Sequence, residues 1–202
     1  MEKTLDSVSQ IFPEAERILD VVLRRKVLET WLDAWKATSI DRIEDIPFLP
    51  GILPDINVVD HTRTVTSICL DFANTMQNAL NIKINRDYLL AGSLLHDLGK
   101  VFEYSKVVTP LGQLFTHPIS AVHMATRQEL PLEVINIIAT HSLEGDFLKR
   151  SLEATVLHFL DFAYTEVVLN GRMGINATEW RKTQDYKRVS GLLELLLPHH
   201  KL

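Results

Sequence analysis

Apolar residues recur at helical spacing near the start of the chain. From about Pro13 to Thr38 they follow steps of three and four, and Pro13 stands where the first turn of a helix tolerates proline. The apolar positions are Ile18, Val21, Val22, Val27, Leu28, Trp31, Leu32 and Trp35. We therefore predict one long amphipathic helix, whose two tryptophans belong to the core or to an interface.

A proline-rich stretch follows this predicted helix. The segment IPFLPGILPDIN carries three prolines and one glycine, which are unsuited to a helix interior and to a sheet ladder. Its large apolar residues indicate a loop that packs on the domain. We assign residues 1–50 to an N-terminal helix and loop that pack on a core formed by residues 51–202.

Helical spacing returns after this loop. One predicted helix begins near Asp60, which is a plausible N-cap, and carries apolar residues on one face. Another runs from about Asp87 to His96 and stops near Gly99, where glycine suits a left-handed C-terminal position. Further helical patterns cover about 117–129, 131–142, 148–169 and 178–196.

The segment between Val101 and Phe115 has a different pattern. Its β-branched and aromatic residues surround the turn-like TPLG, which predicts a small β-hairpin. The expected fold class is therefore all-α, with this hairpin as its β-structure.

Composition narrows the class of protein. The chain has 202 residues, of which 46% are hydrophobic and 23% charged, as in a globular protein with one compact domain. A net charge of -5 indicates no extended nucleic-acid surface. The single cysteine, Cys69, excludes an internal disulfide, and the polar N-terminus has no signal-peptide pattern. We expect a cytoplasmic protein without a membrane span.

Two aspartates stand in strongly apolar helical segments. Asp97 follows His96 at the end of an apolar helix, and Asp161 lies within VLHFLDFAY. An ionised carboxylate is costly to bury unless it is paired or bound to a metal, so each aspartate needs a partner. For the His-Asp pair, a helix cap or a lysine partner remains the alternative to a metal. Three more histidines stand at predicted helix ends, namely His61, His117 and His141.

These segments together resemble a known family. The succession DHTRTV, LLHDLGKVFE, FTHPISAVHM, IIATHS and LHFLDFAYTE is similar to the HD superfamily of metal-dependent phosphohydrolases, with LLHDLGK as the most specific string. The resemblance covers about residues 56–170. Its layout is most similar to the two-metal members, including the HD-GYP phosphodiesterases. It implies an α-helical bundle around a metal site.

The resemblance also implies a set of metal ligands. The ligands of the first metal would be His61, His96, Asp97 and Asp161. Asp97 would also reach a second metal held by His117 and His141. Imidazole and carboxylate ligands suit a divalent transition metal, so we expect one or two ions of iron, manganese, cobalt, nickel or zinc.

The implied chemistry is phosphoester hydrolysis. Two ions about 3.5 to 4 Å apart clamp a phosphoryl group and acidify a water between them, which would make hydroxide the nucleophile. Lys100 matches the family lysine that reaches the substrate phosphate, although a solvated lysine at a helix end is the alternative. The predicted substrate is a phosphomonoester or phosphodiester, either a nucleotide or another small phosphorylated metabolite.

The chain departs from the HD-GYP pattern in one segment. It reads Thr140-His141-Ser142 where those enzymes carry paired histidines, and it has no Gly-Tyr-Pro stretch after it. We therefore do not expect cyclic di-GMP hydrolysis, and we expect the second metal to bind more weakly. Two other functions remain open: a mixed-valent di-iron oxygenase and a non-catalytic signalling or scaffold domain.

Other polar residues have less specific roles. His158 lies three residues before Asp161 and either orients that carboxylate or packs in the core. Arg63 either contacts a substrate anion or lies exposed on its helix, and His123 is expected to be structural or exposed. A homodimer is expected if the first long helix leaves a broad apolar face uncovered.

Overall fold

Helices dominate the protein, which confirms the all-α fold class. The computed structural model describes residues 2–49 and 52–176. One compact unit extends to Asp161 and a second begins at Phe162. The helices of the described chain are α1 (Leu5–Ile11), α2 (Val21–Lys36), α3 (Val58–Leu80), α4 (Arg86–Leu95), α5 (Lys100–Glu103), α6 (Pro110–Leu114), α7 (His117–Arg127), α8 (Leu132–Thr140) and α9 (Leu152–Met173).

The first long helix begins later than predicted. Residues Pro13–Arg17 form a 3₁₀ helix, and α2 starts afresh at Val21. The restart comes from Asp20, whose carboxylate accepts hydrogen bonds from the backbone N–H groups of Val22 (2.9 Å) and Leu23 (3.1 Å). The short helix α1 before it was not predicted. The predicted long helix is therefore divided into two elements, a 3₁₀ helix and α2, with a break between them.

The N-terminal helices contribute to the main core. Trp31 and Trp35 are fully buried, and the ring of Phe12 stacks on Trp31 with 4.6 Å between centroids. The indole N–H of Trp31 donates to the carbonyl of Leu94 in α4 at 2.8 Å. Because both tryptophan side chains are buried within the chain, they are not available for a dimer interface. A homodimer and a domain boundary at residue 50 stay predictions.

The β-hairpin lies elsewhere than predicted. Strands β1 (Pro47–Leu49) and β2 (Leu53–Asn57) pair antiparallel in the segment predicted to be an irregular loop. Proline is compatible here because a two-stranded hairpin has edges on both sides and Pro47 opens its strand. Residues 101–115, the predicted hairpin, instead contain most of α5 and the whole of α6. Thr109 caps α6 by accepting a hydrogen bond from the N–H of Gly112 at 3.1 Å.

Two other predicted helix boundaries, the start near Asp60 and the stop near Gly99, also need correction. Asn57, not Asp60, caps α3, and its side-chain oxygen accepts from the Asp60 N–H at 2.9 Å. Gly99 adopts a right-handed conformation, with φ of -62°. It is required for another reason, since a Cβ there would overlap the backbone carbonyl of His117. Gly99 thus allows α5 to approach the start of α7.

The remaining helices begin close to the predicted positions. Helices α7, α8 and α9 correspond to the patterns at about 117–129, 131–142 and 148–169, although α9 continues through Gly171 to Met173. The predicted helix at 178–196 and the histidines His199 and His200 lie outside the described residues. Across the part of the chain that is described, each helix is too short or too polar to cross a membrane.

Candidate metal centre

Six predicted ligands converge from five helices. His61 lies in the first turn of α3, the His96-Asp97 pair follows α4 directly, and Asp161 lies in α9. His117 is the first residue of α7, and His141 follows the last residue of α8. Helix ends therefore supply most of the cluster, as the sequence predicted. That these side chains bind metal stays a prediction.

Two of the three side chains in the first group of donor atoms are fully buried. The group consists of His61, His96 and Asp161, and the Asp161 side chain is 13% exposed. The Nε2 atom of His61 lies 3.1 Å from Nε2 of His96 and 3.1 Å from Oδ1 of Asp161. Asp97 approaches with its Oδ2 atom, which is 3.5 Å from Nε2 of His61 and 3.6 Å from Nε2 of His96. Four side chains thus surround one small volume.

The second group is smaller and more open. It consists of Asp97, His117 and His141. Oδ1 of Asp97 lies 3.3 Å from Nε2 of His117 and 3.9 Å from Nε2 of His141, and the two imidazole nitrogens are 3.3 Å apart. The His117 side chain is 19% exposed. Asp97 therefore directs one carboxylate oxygen to each group.

Hydrogen bonds to backbone carbonyls place a hydrogen on Nδ1 of two histidine rings, His96 and His141. Nδ1 of His96 lies 2.7 Å from the Ser93 carbonyl, and Nδ1 of His141 lies 2.7 Å from the Ile138 carbonyl. A carbonyl only accepts, so each Nδ1 carries a hydrogen. Burial and the nearby rings lower the pKa of His141 to about 3, so its ring is neutral at pH 7. Its Nε2 lone pair then faces the shared volume.

The carboxylates are ionised despite burial. Burial alone would raise the pKa of Asp97, but Lys100 and the surrounding imidazoles hold it well below its usual value. Burial alone would also raise the pKa of Asp161, but the hydrogen bond from His61 and the nearby imidazoles lower it below its usual value. Nζ of Lys100 lies 3.4 Å from Oδ2 of Asp97. Two carboxylates largely removed from solvent beside this ammonium leave negative charge that a cation would offset.

These observations fit a divalent metal ion at each group. Oδ2 of Asp97 is buried and accepts no hydrogen bond from the described residues. Ligand atoms bound about 2.0 to 2.2 Å from one ion lie roughly 3 to 3.6 Å from each other, which matches most of the separations above. Imidazole nitrogen and carboxylate oxygen suit iron, manganese, cobalt, nickel or zinc. Together with Asp97, the first group offers four donor side chains, and the second, which includes Asp97, offers three.

Glu103 supports the second group and was missed from the sequence. Its Oε1 atom accepts a hydrogen bond from the backbone N–H of His117 at 2.7 Å and lies 3.3 Å from Nδ1 of that ring. Burial opposes ionisation, but these contacts lower the pKa of Glu103 below its usual value. A carboxylate on Nδ1 orients a ligating imidazole. The available signal was its position three residues after Lys100, in the string LLHDLGKVFE.

His158 and Arg150 support the segment that carries His141. Nδ1 of His158 donates to the carbonyl of His141 at 2.7 Å, and Nε of Arg150 donates to the carbonyl of Thr140 at 2.9 Å. These bonds satisfy carbonyls at the C-terminal end of α8. The sequence had linked His158 to Asp161 and did not indicate this contact with His141.

Two other sequence candidates have different partners or exposure. Arg63 donates from Nε to Glu14 at 2.8 Å, so its guanidinium has a carboxylate partner within the chain. His123 is exposed, as expected. Lys100, by contrast, is buried and contacts Asp97, which argues against the solvated role at a helix end.

Comparisons with known proteins agree with this geometry. The family described as HD domain matches residues 58–162, and the chain belongs to that family. The dihydroneopterin 2′,3′-cyclic phosphate phosphodiesterase of Methanocaldococcus jannaschii is similar to this chain, with 31% identity over 169 residues. The alignment covers 76% of this chain and 67% of that protein. No solved structure gives a significant match. The chain is thus an HD-superfamily hydrolase that acts on phosphoesters.

Proposed function

We propose that the protein is a metal-dependent phosphodiesterase that hydrolyses a small cyclic phosphodiester. The observation that carries the proposal is the position of Asp97, whose two carboxylate oxygens face two separate groups of donor atoms. In this proposal the ligands are the six side chains predicted from the sequence. A carboxylate shared in this way would hold two ions close enough to act on one phosphoryl group.

The substrate class is proposed from the relative. Its name specifies a 2′,3′-cyclic phosphate, and its similarity over 76% of this chain supports the same kind of bond here. The carrier of that phosphate would be a nucleoside or another heterocyclic compound of similar size. The same relationship favours hydrolysis over the oxygenase and scaffold alternatives.

Each part of the site would have a distinct task. Divalent ions bound here would polarise the phosphoryl oxygens and lower the pKa of the attacking water. Lys100 would stabilise negative charge that develops on the phosphoryl oxygens. The water oxygen bonds to phosphorus, one ester P–O bond breaks, and the released hydroxyl oxygen takes up a proton. The product is a phosphomonoester that retains the other P–O bond.

Substrate access is proposed from the side of His117. Its side chain is 19% exposed, compared with 13% for Asp161. The other four ligand side chains are almost completely buried. Glu103, which supports His117, is also partly exposed. The phosphoryl group would therefore reach the second group first.

The test is hydrolysis measured without oxygen. Metal-free protein is supplied in turn with Mn²⁺, Fe²⁺, Co²⁺, Ni²⁺ or Zn²⁺ and incubated with 2′,3′-cyclic nucleotides, dihydroneopterin 2′,3′-cyclic phosphate and bis(p-nitrophenyl) phosphate. p-Nitrophenyl phosphate serves as the monoester comparison. Products are separated by chromatography, and water labelled with ¹⁸O reports which bond forms.

The proposal predicts metal-dependent release of a phosphomonoester with one ¹⁸O atom on phosphorus. The cyclic diesters should be hydrolysed faster than the monoester. Absence of hydrolysis with all five ions, or turnover that requires oxygen, would contradict it. Faster hydrolysis of the monoester would overturn the proposed substrate class and leave the phosphohydrolase assignment intact.

A further inference from the structure

A residue outside the family match reaches the candidate metal centre. Phe48 lies in β1, ten residues before the matched region begins at residue 58. Its ring stacks on the imidazole of His61, with 3.7 Å between the ring centroids and 14° between the planes. Phe48 is itself buried. One face of a proposed metal ligand is therefore covered by the N-terminal hairpin.

The backbone of the same residue is anchored to the site. Nζ of Lys100 donates a hydrogen bond to the Phe48 carbonyl at 3.2 Å and lies 4.8 Å from the centroid of the Phe48 ring. The same ammonium is 3.4 Å from Oδ2 of Asp97. Phe48 thus contacts His61 through its ring and Lys100 through its carbonyl.

The hairpin fixes the position of Phe48 from both sides. The register shifts between Pro47 and Leu49, which flank Phe48, and such irregularities re-aim side chains near functional sites. The N–H of Val58 donates to the Ile46 carbonyl at 2.8 Å, which ties the start of β1 to the start of α3. His61 follows in the first turn of that helix. The hairpin and the ligand are therefore held in one arrangement.

We propose that the Phe48 ring is a positioning element for the His61 imidazole, an inference that rests on the proposed function. A stacked ring restricts rotation of the imidazole about its Cβ–Cγ bond, so Nε2 stays directed at His96 and Asp161. Phe48 does not itself touch the reacting atoms. It reduces the conformational freedom that His61 would lose when it binds metal.

The test compares Phe48→Leu with a matched core substitution. Phe12→Leu removes a buried phenylalanine that stacks on Trp31 rather than on a proposed ligand. Phe48→Met is the second site variant, because methionine fills irregular apolar space. Phe48→Tyr keeps the stacked ring. Co²⁺ is titrated into each metal-free protein, its visible absorption is recorded, and urea unfolding is measured separately.

We expect Phe48→Leu and Phe48→Met to weaken Co²⁺ binding by about 10-fold or more and to alter the Co²⁺ absorption bands. Phe12→Leu should lower the unfolding midpoint but keep the wild-type Co²⁺ affinity and spectrum. Phe48→Tyr should bind Co²⁺ within about 3-fold of wild type, because the stacked ring that orients the ligand is retained.

Two results would overturn the positioning role. The first is that Phe48→Leu and Phe48→Met bind Co²⁺ with the same affinity as Phe12→Leu. The other is a Phe48→Tyr protein as weak as Phe48→Leu. In both cases the wild type still binds Co²⁺, so the proposed function stands. If the wild type neither binds Co²⁺ nor hydrolyses any phosphodiester, both proposals fall together.

Discussion

The two groups of donor atoms differ in how the fold supports them. In the first group His61 and His96 are buried and Asp161 is partly exposed, and the Phe48 ring covers His61. The second group depends on His117, which is partly exposed and is held by Glu103. Asp97 belongs to both. With Asp97 the first group has four donor side chains and the second has three, so we expect the second group to hold an ion less tightly.

The comparison also shows where support for each group comes from. The first group takes His61 from the start of α3, His96 from the end of α4 and Asp161 from within α9, and the hairpin residue Phe48 covers His61. The second uses helix ends, namely the start of α7 and the end of α8, where Arg150 and His158 donate to backbone carbonyls. Ends of helices depend on such contacts because their last carbonyls lack partners within the helix. Changes at Arg150 or His158 should therefore affect the second group first.

Removal of the shared carboxylate should have the largest effect. Asp97→Asn should lower metal content at both groups and reduce kcat/KM by more than about 100-fold, since changes to residues that merely orient a ligand already cost 10- to 100-fold. His123→Ala is the control, because His123 is exposed. Metal analysis and the phosphodiester assay measure both proteins. Equal losses in the two variants would show that the ligand assignment is wrong.

Loss of one ligand from the second group should separate the two ions. His117→Ala should lower the metal content from about two ions per chain to about one, because all three residues of the first group and the shared Asp97 remain. His61→Ala should lower binding at the more tightly held site. Elemental analysis after a short chelator treatment measures the difference. Loss of both ions from His117→Ala would contradict the division into two groups.

Gly99 should be required for the close approach of α5 to α7. A Cβ at this position meets the His117 carbonyl, so Gly99→Ala should destabilise the fold by about 1 to 3 kcal/mol. Gly171→Ala is a matched control, because a Cβ at Gly171 meets no atom within 4 Å among residues 2–49 and 52–176. Urea unfolding of the metal-free proteins measures both changes. Equal stabilities would show that the close approach at Gly99 has no energetic consequence.

Glu103 should affect the second group alone. Glu103→Gln keeps the size of the side chain but removes the negative charge near the His117 ring, so the weaker ion should bind about 10-fold less tightly. Glu133→Gln, at an exposed position in the first turn of α8, is the control. Calorimetric titration with Co²⁺ resolves the two affinities. A change confined to the tighter site would contradict the role assigned to Glu103.

The thiol of Cys69 is buried, and its reaction with a thiol reagent should be the smallest effect of this series. Burial, followed by the negative charge of Asp161, raises the pKa of its thiol. A thiol reagent at pH 8 should therefore leave Cys69 unmodified in the native protein and modify it in denaturant. Rapid labelling of the native, metal-loaded chain would show that Cys69 is accessible to solvent.

The sequence predicted which six side chains lie together better than it predicted the connecting structure, and their role as metal ligands stays a prediction. The family resemblance implied them from strings of unequal specificity, of which LLHDLGK, with its His-Asp pair at the end of an apolar helix, was the most specific. Periodicity identified α7, α8 and α9 because apolar residues face one core. The two short helices α5 and α6 were missed because four or five residues are too few to show a helical period.

Contacts between distant residues were beyond the sequence pattern. The hairpin at β1 and β2 depends on pairing that overrides the proline content, and its register irregularity has no signature in the residue pattern. Phe48 and Glu103 therefore escaped notice, since each acts on a histidine that is distant along the chain or on another helix. Their roles became visible only from distances in the folded chain.

The most direct test is the metal content of the wild-type chain. The protein is stripped with chelator, supplied with excess Mn²⁺, Fe²⁺, Co²⁺, Ni²⁺ or Zn²⁺, desalted and subjected to elemental analysis. The account predicts about two ions per chain for at least one metal, of which one is removed more readily by chelator. Fewer than about 0.2 ions per chain with every metal would contradict it.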